Sequence, residues 1–432
     1  MIGRLFERTY VALFREYPPL LRLAVVTGAS QLAFALLNVY ALPVYLIQDL
    51  RVSGLAVGGI SATFLACEMA LKFPLGRLSD RLGRKPFVVL GPLLVCLNPV
   101  IIVRLPTRLW ALVFPVRALD GVGAAALWPP LFAMVGDLVD KRSRAAAMSV
   151  MNTVYVGAIG AAAAMGSFAD YFTGSHHSPF YLASAFLFLS AVTGYLGLPA
   201  VRGTADDPPE PAVAVPKLPS PERHASPPYR RLRGCFAAPA GLPLVLLVSI
   251  LMTLGVLMLA SFLIVYVKVV LHLSGLHTGA LLAALAVPVL VVGLPLGHAA
   301  DRWGKSRAVR VSLAVSAATM WLVPSCRSVL TFALVGLVLV IAHILGTPAW
   351  LALVSELAPR RRRGGVMGIV ATAEGAGAAL APLLGGWLWD IQHSYIFYGS
   401  AVLLTLAALV AAFTLRGEPR GEQPEQAATP SP

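Results

Sequence analysis

Long apolar runs separated by short polar stretches make up most of the chain. A membrane-crossing helix needs about 20 consecutive apolar residues, and twelve segments of roughly that length can be marked. A membrane barrel would instead show strands that alternate over about ten residues, so the runs predict helices. The predicted spans are residues 22–47, 55–76, 85–103, 108–137, 145–169, 179–200, 239–267, 276–297, 305–325, 328–355, 365–389 and 393–415.

One long polar stretch divides this series of spans in half. Residues 202–234 are rich in proline and charge, so we expect a linker that neither folds alone nor enters the bilayer. The division predicts one six-helix bundle over residues 1–201 and a second over residues 235–415. Residues 416–432 are predicted to be a disordered tail. Residues 1–19 are expected to form either a short amphipathic surface helix or a frayed end.

Composition and charge distribution support an integral membrane protein. Charged residues make up 12% of the chain, whereas a soluble protein has about 25%. The net charge is +14, but 27 of the 34 Lys and Arg residues lie in segments that we assign to the cytoplasm. This bias predicts a multi-pass protein of the cell (inner) membrane with both termini cytoplasmic. The basic excess then sets topology and attracts anionic membrane lipids, and we expect no nucleic-acid partner.

The densest polar stretch between two spans reads Gly-Arg-Leu-Ser-Asp-Arg-Leu-Gly-Arg-Lys from Gly76 to Lys85. Four of its five charges are basic, so we predict a tight polar turn at the cytoplasmic surface. The pattern Gly-x-Leu-x-Asp-Arg-x-Gly-Arg-Lys resembles the loop between helices two and three of the major facilitator superfamily of secondary transporters.

This resemblance implies a gating role for the loop. In the family the Asp, here Asp80, bonds to the start of helix eleven and latches the halves in the outward-open state together with Arg81 and Arg84. A carboxylate is favoured at a helix N-terminus, which fits such a contact. Gly76 would allow close helix approach and Gly83 a tight turn. The alternative is a purely topological role.

The two halves of the chain repeat each other. Residues 74–76 and 80–83 recur, with changes, as residues 295–297 and 301–304, at an offset of 221. Four further positions recur at an offset of 219: Pro129, Asp137, Met148 and Gly166 match Pro348, Glu356, Met367 and Gly385. We therefore predict an all-α membrane protein of twelve transmembrane helices in two six-helix pseudo-repeats, the architecture of the superfamily. The substrate site of such a fold lies between the halves near mid-membrane.

Ionisable residues within spans are candidates for coupling or substrate binding, because each costs about 2.5 to 3.5 kcal/mol on insertion scales. Arg117 and Asp120 stand three residues apart on one helix face and can neutralise each other. Their segment resembles the superfamily's helix-four pattern Arg-x-x-Gln-Gly-x-Gly, in which the Arg is linked to proton transfer in exporters. The alternative is a static structural pair.

The other embedded ionisable residues lie on spans two, ten and eleven. Glu68 and Lys72 have i,i+4 spacing, so Glu68 is either a structural partner of Lys72 or a coupling carboxylate. Glu374 has no basic residue one turn away and is a candidate to carry a proton or bind a cationic substrate. His343 is either its partner or a packing residue.

Some polar positions are candidates to line a cavity, namely Gln31, Asn38, Asn152 and Tyr155. The His176–His177 pair is interpreted as part of a solvated loop. The four cysteines show no spacing typical of metal ligands or of a disulfide framework. We therefore predict no metal site.

These observations predict a secondary transporter rather than an enzyme, since no nucleophile, base or metal cluster is found. We expect a monomer that exports small lipophilic compounds by alternating access, with the proton gradient as driving force and no cofactor. Span five departs from the exporter pattern, with Ala163 where Pro is expected. An uptake symporter or facilitator for sugars, organic acids or lipids is the alternative, and a non-transporting membrane sensor is a more distant one.

Overall fold

The computed structural model describes residues 12–140, 143–200, 242–285, 303–357 and 363–414, and the described residues are helical apart from short turns. The main helices are numbered in chain order as α1 (Pro18–Asp49), α2 (Gly54–Leu82), α3 (Arg84–Arg104), α4 (Thr107–Leu138), α5 (Arg144–Thr173), α6 (Ser178–Gly197), α7 (Leu242–Leu257), α8 (Gly275–Leu285), α9 (Lys305–Ser325), α10 (Val329–Leu357), α11 (Arg363–Ile391) and α12 (Tyr395–Thr414). Short helices at Ala12–Glu16 and Leu263–Val269 precede α1 and follow α7.

Ten of these helices are long and apolar enough to cross a membrane, and α7 and α8 are shorter apolar helices at the places of predicted spans seven and eight. The all-helical fold class is confirmed. The count of twelve spans stays a prediction, because residues 286–302 lie outside the described part of the chain. The linker at 202–234 and the tail at 416–432 also lie outside it, so the bundle boundaries stay predictions.

The polar loop is more helical than we predicted. Instead of a turn over Gly76–Lys85, α2 continues to Leu82 and α3 begins at Arg84, so the chain reverses at Gly83 alone. Gly83 has a φ of +97°, a backbone conformation that residues with a Cβ rarely adopt. No proline lies between Gly76 and Leu82, so the helix continues through these polar residues beyond the apolar span.

The internal repeat is visible in the helix packing. In the first half α1 packs on α5 and α6, and α3 packs on α4 and α6. The second half repeats these pairs, with α7 on α11 and α12, and α9 on α10 and α12. Gly304, the counterpart of Gly83, also has a positive φ of +89°. The matched glycines Gly166 and Gly385 both lie at close contacts with the first helix of their half or the turn that follows it. A methyl group at Gly166 would overlap α1, and one at Gly385 would overlap the turn after α7.

Helix α1 is wound irregularly in its second half. Leu36–Ala41 and Tyr45–Asp49 are π-helical, with α-helical winding between them. A π-helical turn holds an extra residue and is rare in proteins, where it often marks functional segments. Asn38 and Tyr40 both lie in the first π-helical segment.

Candidate functional site

We name the end of the bundle that holds residues 76–85 the loop end, and the other end the far end. The two halves meet tightly at the far end. Here Asp390, next to the last residue of α11, accepts hydrogen bonds from the backbone N–H groups of Gly54 (2.5 Å) and Leu55 (2.8 Å). These N–H groups are unpaired in the first turn of any α-helix. A carboxylate of the second half therefore caps a helix of the first.

A second far-end contact joins the halves by charge. Lys268 lies in the short helix after α7 and forms a salt bridge with Asp170 of α5. Both side chains are 9% exposed. The ammonium group also donates to the Tyr40 hydroxyl at 3.0 Å, and that hydroxyl donates to Asp170 at 2.8 Å. We name Tyr40, Asp170 and Lys268 the far-end triad.

The His176 side chain belongs to the same region and not, as we expected, to a merely solvated loop. Its Nδ1 lies 2.8 Å from an Asp49 oxygen, and its Nε2 lies 3.6 Å from an oxygen of Asp170. Asp49 and His176 both belong to the first half of the chain. They therefore lie beside the triad and do not cross between the halves.

Close backbone packing of α2 on α11 extends the far-end contact into the bundle. A methyl group at Gly58 would overlap the carbonyl of Pro382, and one at Gly386 would overlap the backbone of Gly54. Ser61 and Ser261 share a hydrogen bond of 3.2 Å between the halves. Glycines at such crossings let helix backbones approach closely.

The loop end holds no comparable polar contact among the described residues. The Asp80 side chain is 60% exposed and lies 3.8 Å from Arg84, one turn away. The guanidinium of Arg84 makes its shorter contact, 2.9 Å, to Asp137 of α4 in the same half. Each hydrogen bond and salt bridge described between the halves involves residues of the far-end half of the bundle. The structure is thus closed at the far end.

The predicted ion pair of α4 is present and lies deep in the first half. The Arg117 Nη1 and Asp120 Oδ2 atoms are 2.5 Å apart, and neither residue has solvent-exposed surface. Asn98 of α3 donates to Asp120 at 2.6 Å, and Arg117 donates to the Asn38 side chain of α1. The guanidinium carbon also lies 4.4 Å from the ring centroid of Phe64. Three neighbouring helices therefore stabilise this buried charge, as a desolvated pair requires.

An aromatic cluster adjoins the ion pair. The Phe34 ring lies 6.0 Å from that of Phe64 and 6.2 Å from that of Trp128. Trp128 makes an edge-on contact with the predicted cavity residue Tyr155 at 5.1 Å, and Phe132 lies next to both. Such a cluster presents a large apolar area with two polar groups, the Tyr155 hydroxyl and the Trp128 indole N–H.

The two other candidate coupling carboxylates, Glu68 and Glu374, lie where α2 crosses α11. Glu68 is buried and forms a salt bridge of 2.8 Å with the half-exposed Lys72. The contact that one of its two predicted roles requires is therefore present, and the role itself stays a prediction. Met69, the chain neighbour of Glu68, fills the space at Gly375, because a methyl group there would overlap the Met69 thioether. Glu374 precedes Gly375 and is partly buried. Glu68 and Glu374 are therefore next to the two residues that meet at this crossing.

Glu374 does not have the partner that we considered for it. Its carboxylate lies near Ser249 and Trp350, and the Trp350 indole N–H donates to the Ser249 hydroxyl at 3.2 Å. The His343 ring instead lies 3.3 Å from Thr347, one turn along its own helix. Helical phase was too weakly set in the sequence to separate these neighbours.

Comparison with known protein families agrees with the all-helical, two-half fold. The family model described as Major Facilitator Superfamily matches residues 23–292 and 245–432, which together span almost the whole chain. The chain belongs to the major facilitator superfamily. As a member of this family it is a membrane transporter of small molecules and not an enzyme.

Relatives of this superfamily member include a multidrug resistance protein. The chain is 26% identical over 368 residues to multidrug resistance protein 1 of Bacillus subtilis (strain 168), covering 84% of this chain and 87% of that protein. Among solved structures, the nucleoside transporter NupG has a TM-score of 0.73 at 11% identity, covering 92% of this chain and 99% of that one. A bacterial homologue of the human lysosomal transporter Spinster has a TM-score of 0.70 at 15% identity, covering 93% and 97%. At these identities the structural likeness shows the fold alone.

The two other cavity candidates of this major facilitator protein each precede a residue of the aromatic cluster by three positions on the same helix, Gln31 before Phe34 and Asn152 before Tyr155. Gln31 is buried in α1, and Asn152 is exposed on α5. No group of three or more His, Cys, Asp or Glu side chains that could hold a metal ion occurs within the described residues. Sequence reasoning missed the far-end residues Asp170 and Asp390. Their one signal was a carboxylate at the end of a predicted span, beside a polar turn.

Proposed function

We propose that this transporter exports small lipophilic compounds in exchange for protons. The observation that carries the proposal is the α2–α11 crossing, where Glu68 and Glu374 flank the contact between Met69 and Gly375. This crossing joins the two halves, so a change of charge beside it acts on their relative position. Ionisable groups inside a membrane protein typically belong to ion or proton pathways.

Glu374 is the best of the three candidate coupling carboxylates, since Glu68 already forms a salt bridge with Lys72. Asp120 is fully enclosed and already bound by Arg117 and Asn98. Protonating it would leave the Arg117 charge buried without its counter-ion, which is costly. Glu374 is only partly buried and has neutral neighbours in Ser249 and Trp350, so it can gain or lose a proton without stranding a partner charge.

The substrate class follows from the aromatic cluster around Trp128. Apolar rings of Phe34, Phe64 and Phe132 adjoin the Tyr155 hydroxyl and the acidic Glu68 nearby. This chemistry fits a flat or bulky apolar molecule with at most one positive charge. The similarity to a Bacillus multidrug resistance protein supports export.

The described state is then inward-facing. The positive-inside bias places the loop end in the cytoplasm, together with both termini, and the far end outside the cell membrane. The exposed Asp80 fits this state, because its proposed latch to the start of α11 would form only when the loop end closes. Opening outward requires the breaking of the far-end triad and of the Asp390 cap. We propose that a monomer completes this cycle.

Proteoliposomes that contain a pH-sensitive dye test the proposal. They are prepared with an acidic interior and challenged with tetraphenylphosphonium, and antibiotics, sugars and lipids are tested in parallel. An exchanger makes the interior more alkaline as substrate enters and protons leave. Glu374→Gln abolishes this signal, whereas the matched control Glu16→Gln, an exposed carboxylate near the N-terminus, keeps it.

Uptake of a polar solute is the second candidate function. It is favoured by the departure of α5 from the exporter pattern at Ala163. A symporter would acidify the interior as solute and protons enter together, and a facilitator would move a sugar or organic acid without any pH change. Either result, with Glu374→Gln behaving like the unmodified protein, would overturn proton-coupled export.

A further inference from the structure

A groove on the outside of the second half lies between α9 and α12. It has a volume of about 560 Å³ and is lined mainly by alanine along its length, with two arginines at one end. Neighbouring apolar side chains at the groove, such as Val311 and Leu409, are about half exposed, so the groove faces away from the bundle. A membrane protein meets lipid on such a face.

The arginines lie at the loop end of the groove. Arg307 is exposed and Arg310 is partly buried, one turn apart at the start of α9. The Nε of Arg310 donates to the backbone carbonyl of Ser306 at 3.3 Å. Among the described residues, no carboxylate pairs with either guanidinium. Two adjacent guanidinium groups that have no acidic partner in the described part of the chain favour a phosphate, which they bind through several donors at once.

The length of the groove matches one leaflet of a bilayer. From Arg307 to Ala317 the helix rises about 15 Å, which is half of the roughly 30 Å hydrocarbon core. The groove ends near Thr405 of α12, whose hydroxyl accepts a hydrogen bond of 3.2 Å from the Trp321 indole of α9. This contact joins the two helices just beyond the alanines. A straight acyl chain that entered from the loop end would stop there.

Small side chains provide the width of the groove. Ala314 and Ala317 on α9 face Ala408 and Ala412 on α12. Each of these positions would narrow the groove if it held a larger residue. A second copy of this chain is a poor occupant, because a symmetric interface would bring Arg307 and Arg310 of both copies to the same patch.

We propose that this groove is a binding site for one anionic phospholipid of the loop-end leaflet. The phosphate and the headgroup bind Arg307 and Arg310, and one acyl chain lies along the alanines as far as Thr405. Basic pockets between membrane helices on the cytoplasmic side are suited to such headgroups. The site is separate from the proposed transport pathway, so it stands whether the protein exports or imports.

Native mass spectrometry of the full chain in neutral detergent tests the site. Phosphatidylglycerol is titrated against phosphatidylcholine with identical acyl chains, and inorganic phosphate is added alone in a third series. We expect a discrete one-lipid adduct with phosphatidylglycerol, at least fivefold weaker binding of phosphatidylcholine, and no effect of phosphate. The thermal unfolding midpoint in the same detergent should rise with phosphatidylglycerol only.

Two kinds of variant separate the headgroup from the acyl chain. The double variant Arg307→Gln with Arg310→Gln should lose the preference for phosphatidylglycerol, whereas Arg15→Gln, an exposed arginine near the N-terminus, should keep it. Ala314→Leu retains both charges but fills the groove, and it should weaken the adduct at least fivefold. Ala185→Leu, on an exposed face of α6, is its matched control.

Three outcomes would overturn the proposal. Equal binding of both lipids would show no headgroup selection. An adduct that persists in both the arginine and the Ala314→Leu variants would place the lipid elsewhere. A dimer in detergent that Ala314→Leu dissociates would assign the groove to a second copy of the chain.

Discussion

The Asp390 carboxylate caps the first turn of α2 through the N–H groups of Gly54 and Leu55, at 2.5 and 2.8 Å. Asp390 and Gly54 are 336 residues apart and belong to different halves of the transporter. A cap between two halves differs from a cap within one helix, because it is lost whenever the halves separate. The pair therefore adds stability to the far-end-closed state only.

Removing this cap should shift the protein toward a far-end-open state. A helix cap contributes typically about 1 kcal/mol, so Asp390→Ala should change the ratio of the two states about fivefold. The measurement is the labelling rate of Ser261→Cys by a membrane-impermeant maleimide in a background without the native cysteines. Ser261 is 4% exposed and meets Ser61 between the halves, so we expect faster labelling when the far end opens.

The control for this experiment is Asp49→Asn. Asp49 is also a far-end carboxylate, but it pairs with His176 inside the first half. Its loss should leave the labelling rate within twofold of the parent value. If Asp390→Ala and Asp49→Asn accelerate labelling equally, the cap has no special role in closure.

Transport should depend on the opposite charges of Lys268 and Asp170 in the far-end triad. Lys268→Met leaves the Asp170 carboxylate in a site that is 9% exposed and removes its counter-charge, and breaking a buried pair typically costs about 3 to 5 kcal/mol. We expect a loss of transport of about tenfold or more. The swap of Lys268→Asp with Asp170→Lys should restore a substantial part, as measured by substrate flux in proteoliposomes. No recovery in a stably folded swap variant would argue against a role for this ion pair in gating.

The Arg117–Asp120 pair should behave mainly as a structural element. Asp120→Asn strands a fully buried guanidinium, so we expect a marked fall of the unfolding temperature in detergent. The double variant Arg117→Met with Asp120→Leu should recover much of that stability, because apolar replacements remove the uncompensated charge. Should Asp120→Asn remain as stable as the parent and yet lose proton movement, Asp120 rather than Glu374 would be the coupling carboxylate.

Backbone contact between α2 and α11 should be sensitive to a single methyl group. Gly58→Ala places a methyl group against the Pro382 carbonyl, whereas Gly368→Ala, on α11 itself, meets nothing within 4 Å. We expect Gly58→Ala to accelerate far-end labelling of Ser261→Cys and to slow transport, and Gly368→Ala to change neither by more than about twofold. Equal behaviour of the two variants would mean that this close packing does not hold the far end shut.

Local spacing predicted those features that depend on one helix. The Arg117–Asp120 pair, the Glu68–Lys72 pair and the turn at Gly83 all involve residues within four positions or a single φ angle, and each is present. The family and the helical class were likewise readable, because apolar length and one loop motif carry them.

Contacts between residues of different helices could not be predicted from the sequence. Asn98 and Asn38 reach the ion pair from α3 and α1, and nothing in their own segments indicates the rotation of those helices. Lys268 and Asp390 stand at span ends, where a charge is ordinary and its partner depends on how the halves dock. The same uncertainty explains why Glu374 lies by Ser249 and Trp350 and not by His343.

The π-helical segment Leu36–Ala41 contributes one residue to the buried ion-pair site and one to the far-end triad. Asn38 contacts Arg117 deep in the first half, and Tyr40, two residues later, belongs to the far-end triad. If this segment rewound to regular α-helix, one residue would leave the turn and the side chains would rotate by about 100° relative to the rest of the helix. Asn38 and Tyr40 would then leave their partners in a single movement, so a change at the buried ion pair would also change the far-end triad.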